Sequence, residues 1–169
     1  MAKALEKFSL DGTVAIVTGG RRRYGHAFCE GLADAGATVV LTSRVLDKAQ
    51  EVAAEFCERD LDVHGYQLDL REDESIHALV DDVLADRGAI DVLVNNARYL
   101  PSESWDTIDR EELSATFDVG IVGTILLTRR VTDEMKEADG GVIINIGSIY
   151  GMCGQIPDIY REPESSLSL

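Results

Sequence analysis

The chain has 169 residues, 45% of them hydrophobic, and carries 31 acidic against 16 basic side chains for a formal charge of −15. That length suits one domain, which buries roughly 70% of the surface its unfolded chain exposes. The acidic balance argues against a nucleic-acid partner, because neutralising phosphates calls for a basic face. No run approaches the roughly 18 consecutive apolar residues of a membrane helix, so a membrane partner is not expected either.

Residues 1–10 alternate charged and small side chains and lack the apolar core of an export signal, so the cytoplasm is the expected compartment. From there, apolar strands alternate with amphipathic helical stretches, the pattern of an α/β protein. Residues 13–18 (TVAIVT) form a β-branched run suited to a strand buried on both faces, ending at Gly19-Gly20. A helix follows from 24 to 35, with Ala27, Phe28, Leu32 and Ala35 at helical spacing and Gly36 at its end. Strand 38–42, helix 46–59, strand 63–68, helix 72–87 and strand 90–94 repeat the unit. A long helix is predicted over 110–136, presenting Leu113, Phe117, Ile121, Ile125 and Leu126 at steps of three and four, before a fifth strand at 142–146.

Right-handed crossovers order five such strands 3-2-1-4-5, a doubly wound, Rossmann-like sheet in three α/β/α layers. The ligand site is then expected at the carboxyl ends, between strands 1 and 4. Residues 1–150 make up this dinucleotide-binding domain, and 151–169, with Pro157, Pro163 and a serine-rich end, read as a loop. The three cysteines, Cys29, Cys57 and Cys153, are odd in number and lack C-x-x-C spacing, so they are expected to be reduced packing residues with no metal site.

Between the first strand and its helix stands Thr18-Gly19-Gly20-Arg21-Arg22-Arg23-Tyr24-Gly25. Gly19 permits a tight turn and Gly25 a close approach of helix to strand, leaving the helix N–H groups free to face a pyrophosphate. A glycine turn can also do no more than join strand to helix. After strand 3 come Asp69-Leu70, where an acidic residue equally suits the start of a helix. Asn95-Asn96-Ala97 follow strand 4, with asparagines that also suit a plain turn, and Asn145-Ile146-Gly147-Ser148 close strand 5. Strand 2 ends in Thr42-Ser43-Arg44, with no carboxylate to accept a ribose 2′-OH. Arg44, aided by Arg22 and Ser43, is suited to a 2′-phosphate, so NADP(H) is favoured over NAD(H).

From about residue 10 to 151 these motifs resemble the short-chain dehydrogenase/reductase family, whose patterns are T-G-x-x-x-G-x-G, an acidic residue after strand 3, N-N-A-G after strand 4 and a serine after strand 5. The resemblance implies a cofactor site of Gly19, Arg22, Arg23, Tyr24, Gly25, Ser43, Arg44, Asp69, Leu70, Asn95 and Ala97, with Ser148 catalytic. It also implies hydride transfer between nicotinamide and a small carbonyl or secondary alcohol, and a homodimer or tetramer.

In the family a Y-x-x-x-K tyrosine moves the substrate proton, its lysine lowers the tyrosine pKa, and a long-helix asparagine supports a proton relay. Only the serine is matched here. Tyr150 and Tyr160 are followed four residues on by Gly154 and Glu164, and no lysine follows Lys136. Arg23 replaces the middle glycine of the first motif, Arg98 the glycine of N-N-A-G, and Gly120 the asparagine. The expectation is the N-terminal part of such an oxidoreductase, able to bind cofactor but catalytically incomplete. The alternative is a non-catalytic dinucleotide-binding module, a sensor or a degenerate copy.

Overall fold

Val14–Val17 (β1) is buried at all four positions, as a β-branched run between two layers of helices must be. The computed structural model describes residues 6–101, 107–138 and 140–153. After β1 come α1 (Arg23–Asp34), β2 (Thr38–Ser43), α2 (Leu46–Cys57), β3 (Val63–Gln67), α3 (Asp73–Arg87) and β4 (Val92–Asn95). Then α4 (Arg110–Phe117) passes through a π-helical turn (Asp118–Gly123) into α5 (Thr124–Glu137), and β5 (Val142–Asn145) ends the sheet. The strands run parallel in the order β3-β2-β1-β4-β5, as the crossover rule predicts. Element bounds agree with the sequence-based ones to within two residues.

The period of two along each strand sorts the core into two layers. Val14 and Ile16 join Val40, Leu93 and residues of α3 and α5 on one face, including Leu79, Val83, Leu127 and Val131. Ala15 and Val17 join Val39, Leu41, Val94 and residues of α1 and α2 on the other, including Cys29, Ala49 and Phe56. Each fully buried Val, Leu, Ile or Phe stabilises the fold by about 1.5–3 kcal/mol relative to exposure, so these two layers supply most of the cohesion. A shared edge also aligns the strand starts: the Asp91 carboxylate accepts a hydrogen bond from the Val14 N–H at 2.8 Å.

Two expectations change. Of the predicted series, Leu113, Phe117, Ile121 and Ile125 face outward, with Phe117 53% and Ile125 60% exposed, and Leu126 is partly buried against the core. A second series four residues apart, Val119, Gly123, Leu127, Val131 and Met135, packs on the sheet instead. Both series have helical spacing, but only the second offers a residue small enough for the helix to settle against the Leu70 backbone, at Gly123. Among the cysteines, all free, Cys29 is packed and burial pushes its thiol up to about 12. Cys57 and Cys153 are exposed and are not packing residues. The expected loop beyond residue 153 lies outside the described residues.

Candidate functional site

Thr18, directly after β1, is the hinge pin of the site. Its hydroxyl accepts hydrogen bonds from the backbone N–H groups of Asn96 and Ala97, both at 2.9 Å, and donates to the Val94 carbonyl. The Asn96 side chain returns the link by donating to the Thr18 and Gly19 carbonyls at 2.8 and 3.2 Å. The glycine turn after β1 is thereby locked to the turn after β4. Gly19 takes φ of 66° in this turn. At Gly25 an added Cβ would lie 2.4 Å from the Gly19 carbonyl oxygen and 2.7 Å from the Asn96 amide nitrogen, so α1 can start this close to β1 only with glycine there.

A cleft of about 450 Å³ opens at the carboxyl ends of β1 to β4, where the strand order predicts a ligand site. Gly19, Arg22, Arg23, Tyr24, Ser43, Arg44, Asp69, Leu70 and Ala97 all line it. Arg21, Thr42, Asn96, Arg98, Tyr99, Leu100 and Val119 line it too, and were not among the predicted site residues. The tripeptide Arg98-Tyr99-Leu100 has no motif to announce it. Asn96 could have been chosen from its place in N-N-A, next to the asparagine that was.

Five arginines, 21, 22, 23, 44 and 98, therefore face one cleft, and none forms a salt bridge among the described residues. The one carboxylate among the described lining residues, Asp69, is already engaged. Both its oxygens accept from the Arg71 guanidinium, and one also accepts from the Arg71 backbone N–H. These bonds hold the Asp69 carboxyl below the usual carboxylate range, with the charge of Arg44 adding to the effect. Because the folded-state pKa is depressed, the pairing stabilises the fold fully above the ordinary carboxylate pKa of about 4 and is lost as pH falls through the folded value. Urea unfolding of an Asp69→Asn variant should show it less stable than the parent at pH 7, with the gap closing at pH 3; a gap independent of pH would refute this.

Arg23 sits at φ 52°, a left-handed conformation that costs a side-chain-bearing residue about 1–2 kcal/mol. Arg23→Gly should therefore raise stability by about 1 kcal/mol, read as a higher urea midpoint at unchanged slope. The remaining predicted residues stand apart from the cleft lining. Asn95 is buried and donates from its amide to the Thr128 hydroxyl at 2.9 Å and to the Asn145 side chain at 2.8 Å, tying β4 to α5 and β5. Ser148 is exposed beyond β5, where its hydroxyl caps a 3-10 turn by accepting from the Tyr150 N–H at 3.2 Å. Gly120 lies in the π-helical turn, with open space where a side chain would go.

No group of three metal-ligating side chains occurs among the described residues, and no helix among them is long and apolar enough to cross a membrane. The geometry up to this point is that of a nucleotide-binding α/β sheet, and the comparison with known families is decisive: the short chain dehydrogenase model matches residues 13–158. This chain belongs to the short chain dehydrogenase family. A 3-oxoacyl-(acyl-carrier-protein) reductase of Aquifex aeolicus (strain VF5) is 30% identical over 90% of this chain and 62% of its own length. A cyclopentanol dehydrogenase of Comamonas sp. (strain NCIMB 9872) is 33% identical over 83% of this chain and 56% of its own. The crystal structure of a gluconate 5-dehydrogenase from Burkholderia cenocepacia J2315, in complex with NADP and tartrate, superposes with a TM-score of 0.82 at 32% identity, covering 90% of this chain and 60% of that one. The chain thus spans about 60% of the length of these short chain dehydrogenases.

Proposed function

We propose that this chain binds NADP(H) in the arginine-lined cleft, as the cofactor-binding portion of an oxidoreductase acting on a carbonyl or secondary alcohol. The observation that carries the reading is the end of β2: Ser43 and Arg44 line the same cleft as Arg22, and the only carboxylate among the described lining residues is held by Arg71. A 2′-phosphate would meet two guanidinium groups and a hydroxyl, with no free carboxylate among the described lining residues to repel it. The glycine cradle fits the rest of the group, since a Cβ at Gly25 would fill the space at the start of α1. When bound, the nicotinamide supplies hydride transfer.

In the same reading, Thr18 and Asn96 hold the two turns that border the ligand, and Leu70, Ala97 and Val119 exclude water from it. Ser148 is the candidate to polarise a substrate oxygen. Nothing within these 169 residues offers a Y-x-x-x-K pair to move the proton, and Gly120 has no side chain to join a relay. The chain is therefore expected to bind cofactor without turning over, and its substrate class follows only from its family.

Calorimetric titration of the purified chain with NADPH and NADH tests this. NADPH should bind at least about tenfold more tightly, the value of one good charge-assisted contact. No binding of either nucleotide at millimolar concentration would refute the cofactor reading. Oxidation of NADPH by the chain with a carbonyl substrate would refute catalytic incompleteness.

A further inference from the structure

Asp69 is the one carboxylate among the described lining residues of a cleft that five arginines face, so an arginine of the cleft would be its ordinary partner. Its partner is Arg71 instead, which is not among those lining residues. Asp69 Oδ1 accepts from the Arg71 Nε–H at 2.9 Å and from the Arg71 backbone N–H at 3.1 Å, and Oδ2 accepts from Nη2 at 2.5 Å. The backbone behind the carboxylate is fixed as well, because the Asp69 N–H donates to the Ser75 hydroxyl at 2.9 Å. An exposed ion pair of one contact contributes little, whereas a guanidinium fork with a third donor behind it holds a carboxylate in one orientation.

Arg44 is the second positive charge acting on Asp69. Its side chain is exposed and makes no ion pair among the described residues, while its carbonyl accepts from the Gln67 side-chain amide at 3.1 Å. One residue earlier, the Ser43 carbonyl accepts from the Leu68 N–H at 2.9 Å. These two bonds tie the end of β2 to the end of β3, so Arg44 and Asp69 keep the same neighbourhood however their side chains turn. With Arg71 removed, Arg44 is the positive charge left acting on the carboxylate.

Resting on the NADP(H) reading above, we propose that Arg71 is a positioning residue for nucleotide preference: by holding Asp69 it keeps Arg44 unpaired and free to receive the 2′-phosphate. Arg71 acts through Asp69 and does not itself contact the nucleotide. Without it, Asp69 pairs with Arg44, and a phosphate must displace that carboxylate from the guanidinium and then lie beside its negative charge. NADH has no 2′-phosphate and so loses nothing by the exchange. The effect falls on the choice between the two nucleotides rather than on binding in general.

Calorimetric titration of the parent, Arg71→Ala, Asp69→Asn and the double variant with NADPH and NADH reads the ratio of the two affinities, in which every contact common to both nucleotides cancels. Arg71→Ala should lower that ratio by about tenfold, the value of one charge-assisted contact. Asp69→Asn should leave it within about threefold of the parent's, and the double variant should restore it, because no carboxylate is left to occupy Arg44. A merely structural role for Arg71 predicts no such rescue. A long-range effect of charge predicts that Asp69→Asn raises the ratio as much as Arg71→Ala lowers it, with the two changes simply adding. That additivity, or a ratio unmoved by Arg71→Ala in a parent that prefers NADPH, would overturn this proposal and leave the NADP(H) reading standing. Equal binding of NADPH and NADH by the parent would overturn both.

Discussion

Replacing Gly123 by alanine should destabilise the protein by about 3 kcal/mol, the upper end of what overpacking costs in a well-packed interior. Gly123 is buried in the π-helical turn between α4 and α5. An added Cβ there would lie 1.9 Å from the Leu70 carbonyl oxygen and 2.7 Å from the Leu70 carbonyl carbon and Cβ. These contacts are mostly with backbone, so no rotamer change relieves them; α5 must lift from the sheet or the segment after β3 must shift. Leu70 also lines the cleft, so the same substitution should weaken nucleotide binding. Gly120, three residues earlier in the same turn, is the control: nothing lies within 4 Å of its Cβ position. Gly120→Ala should be neutral or stabilising by up to about 1 kcal/mol. Urea denaturation of both variants decides the matter, and a Gly123→Ala midpoint equal to the parent's would show that α5 does not rest on Leu70 as described.

On the proposed NADP(H) reading, Arg44→Asp should reverse the nucleotide preference, moving the ratio of NADPH to NADH affinity by about 100-fold or more. The substitution removes a guanidinium from the end of β2 and puts in its place a carboxylate that repels a 2′-phosphate and accepts from a 2′-OH. Ser43 and Arg22 remain to hold the phosphate in part, which sets the size of the effect. The variant should fold normally, because Arg44 is exposed and makes no ion pair among the described residues. Titration with both nucleotides is the measurement, and an unchanged ratio would remove Arg44 from the site.

Much of this architecture was legible before any coordinates. Strand runs such as TVAIVT announce burial on both faces, the helical stretches between them force parallel crossovers, and handedness then orders the strands. The glycine turn after β1 and the basic end of β2 were legible for the same reason: each depends on backbone conformation or charge within a few residues. Nine of the eleven residues assigned to cofactor from sequence line the cleft, Gly25 and Asn95 being the two that do not.

What local pattern could not decide was which of several equivalent groups meets which distant partner. Along residues 110–137 two apolar series share the same spacing, and the choice between them was made by a backbone carbonyl far earlier in the chain, at Leu70. Asn95 and Asn96 are identical in chemistry, yet one bonds across to Asn145 and the other to Thr18, 78 residues away. Asp69 has its carboxylate bound by Arg71, Arg98 reaches the cleft because Ala97 is pinned to Thr18, and Ser148 stands outside that cleft. Periodicity, turn chemistry and charge act over a handful of residues and so are written in the order of the amino acids. Side-chain partnership depends on which surfaces remain once the layers have packed, and only the folded chain supplies that.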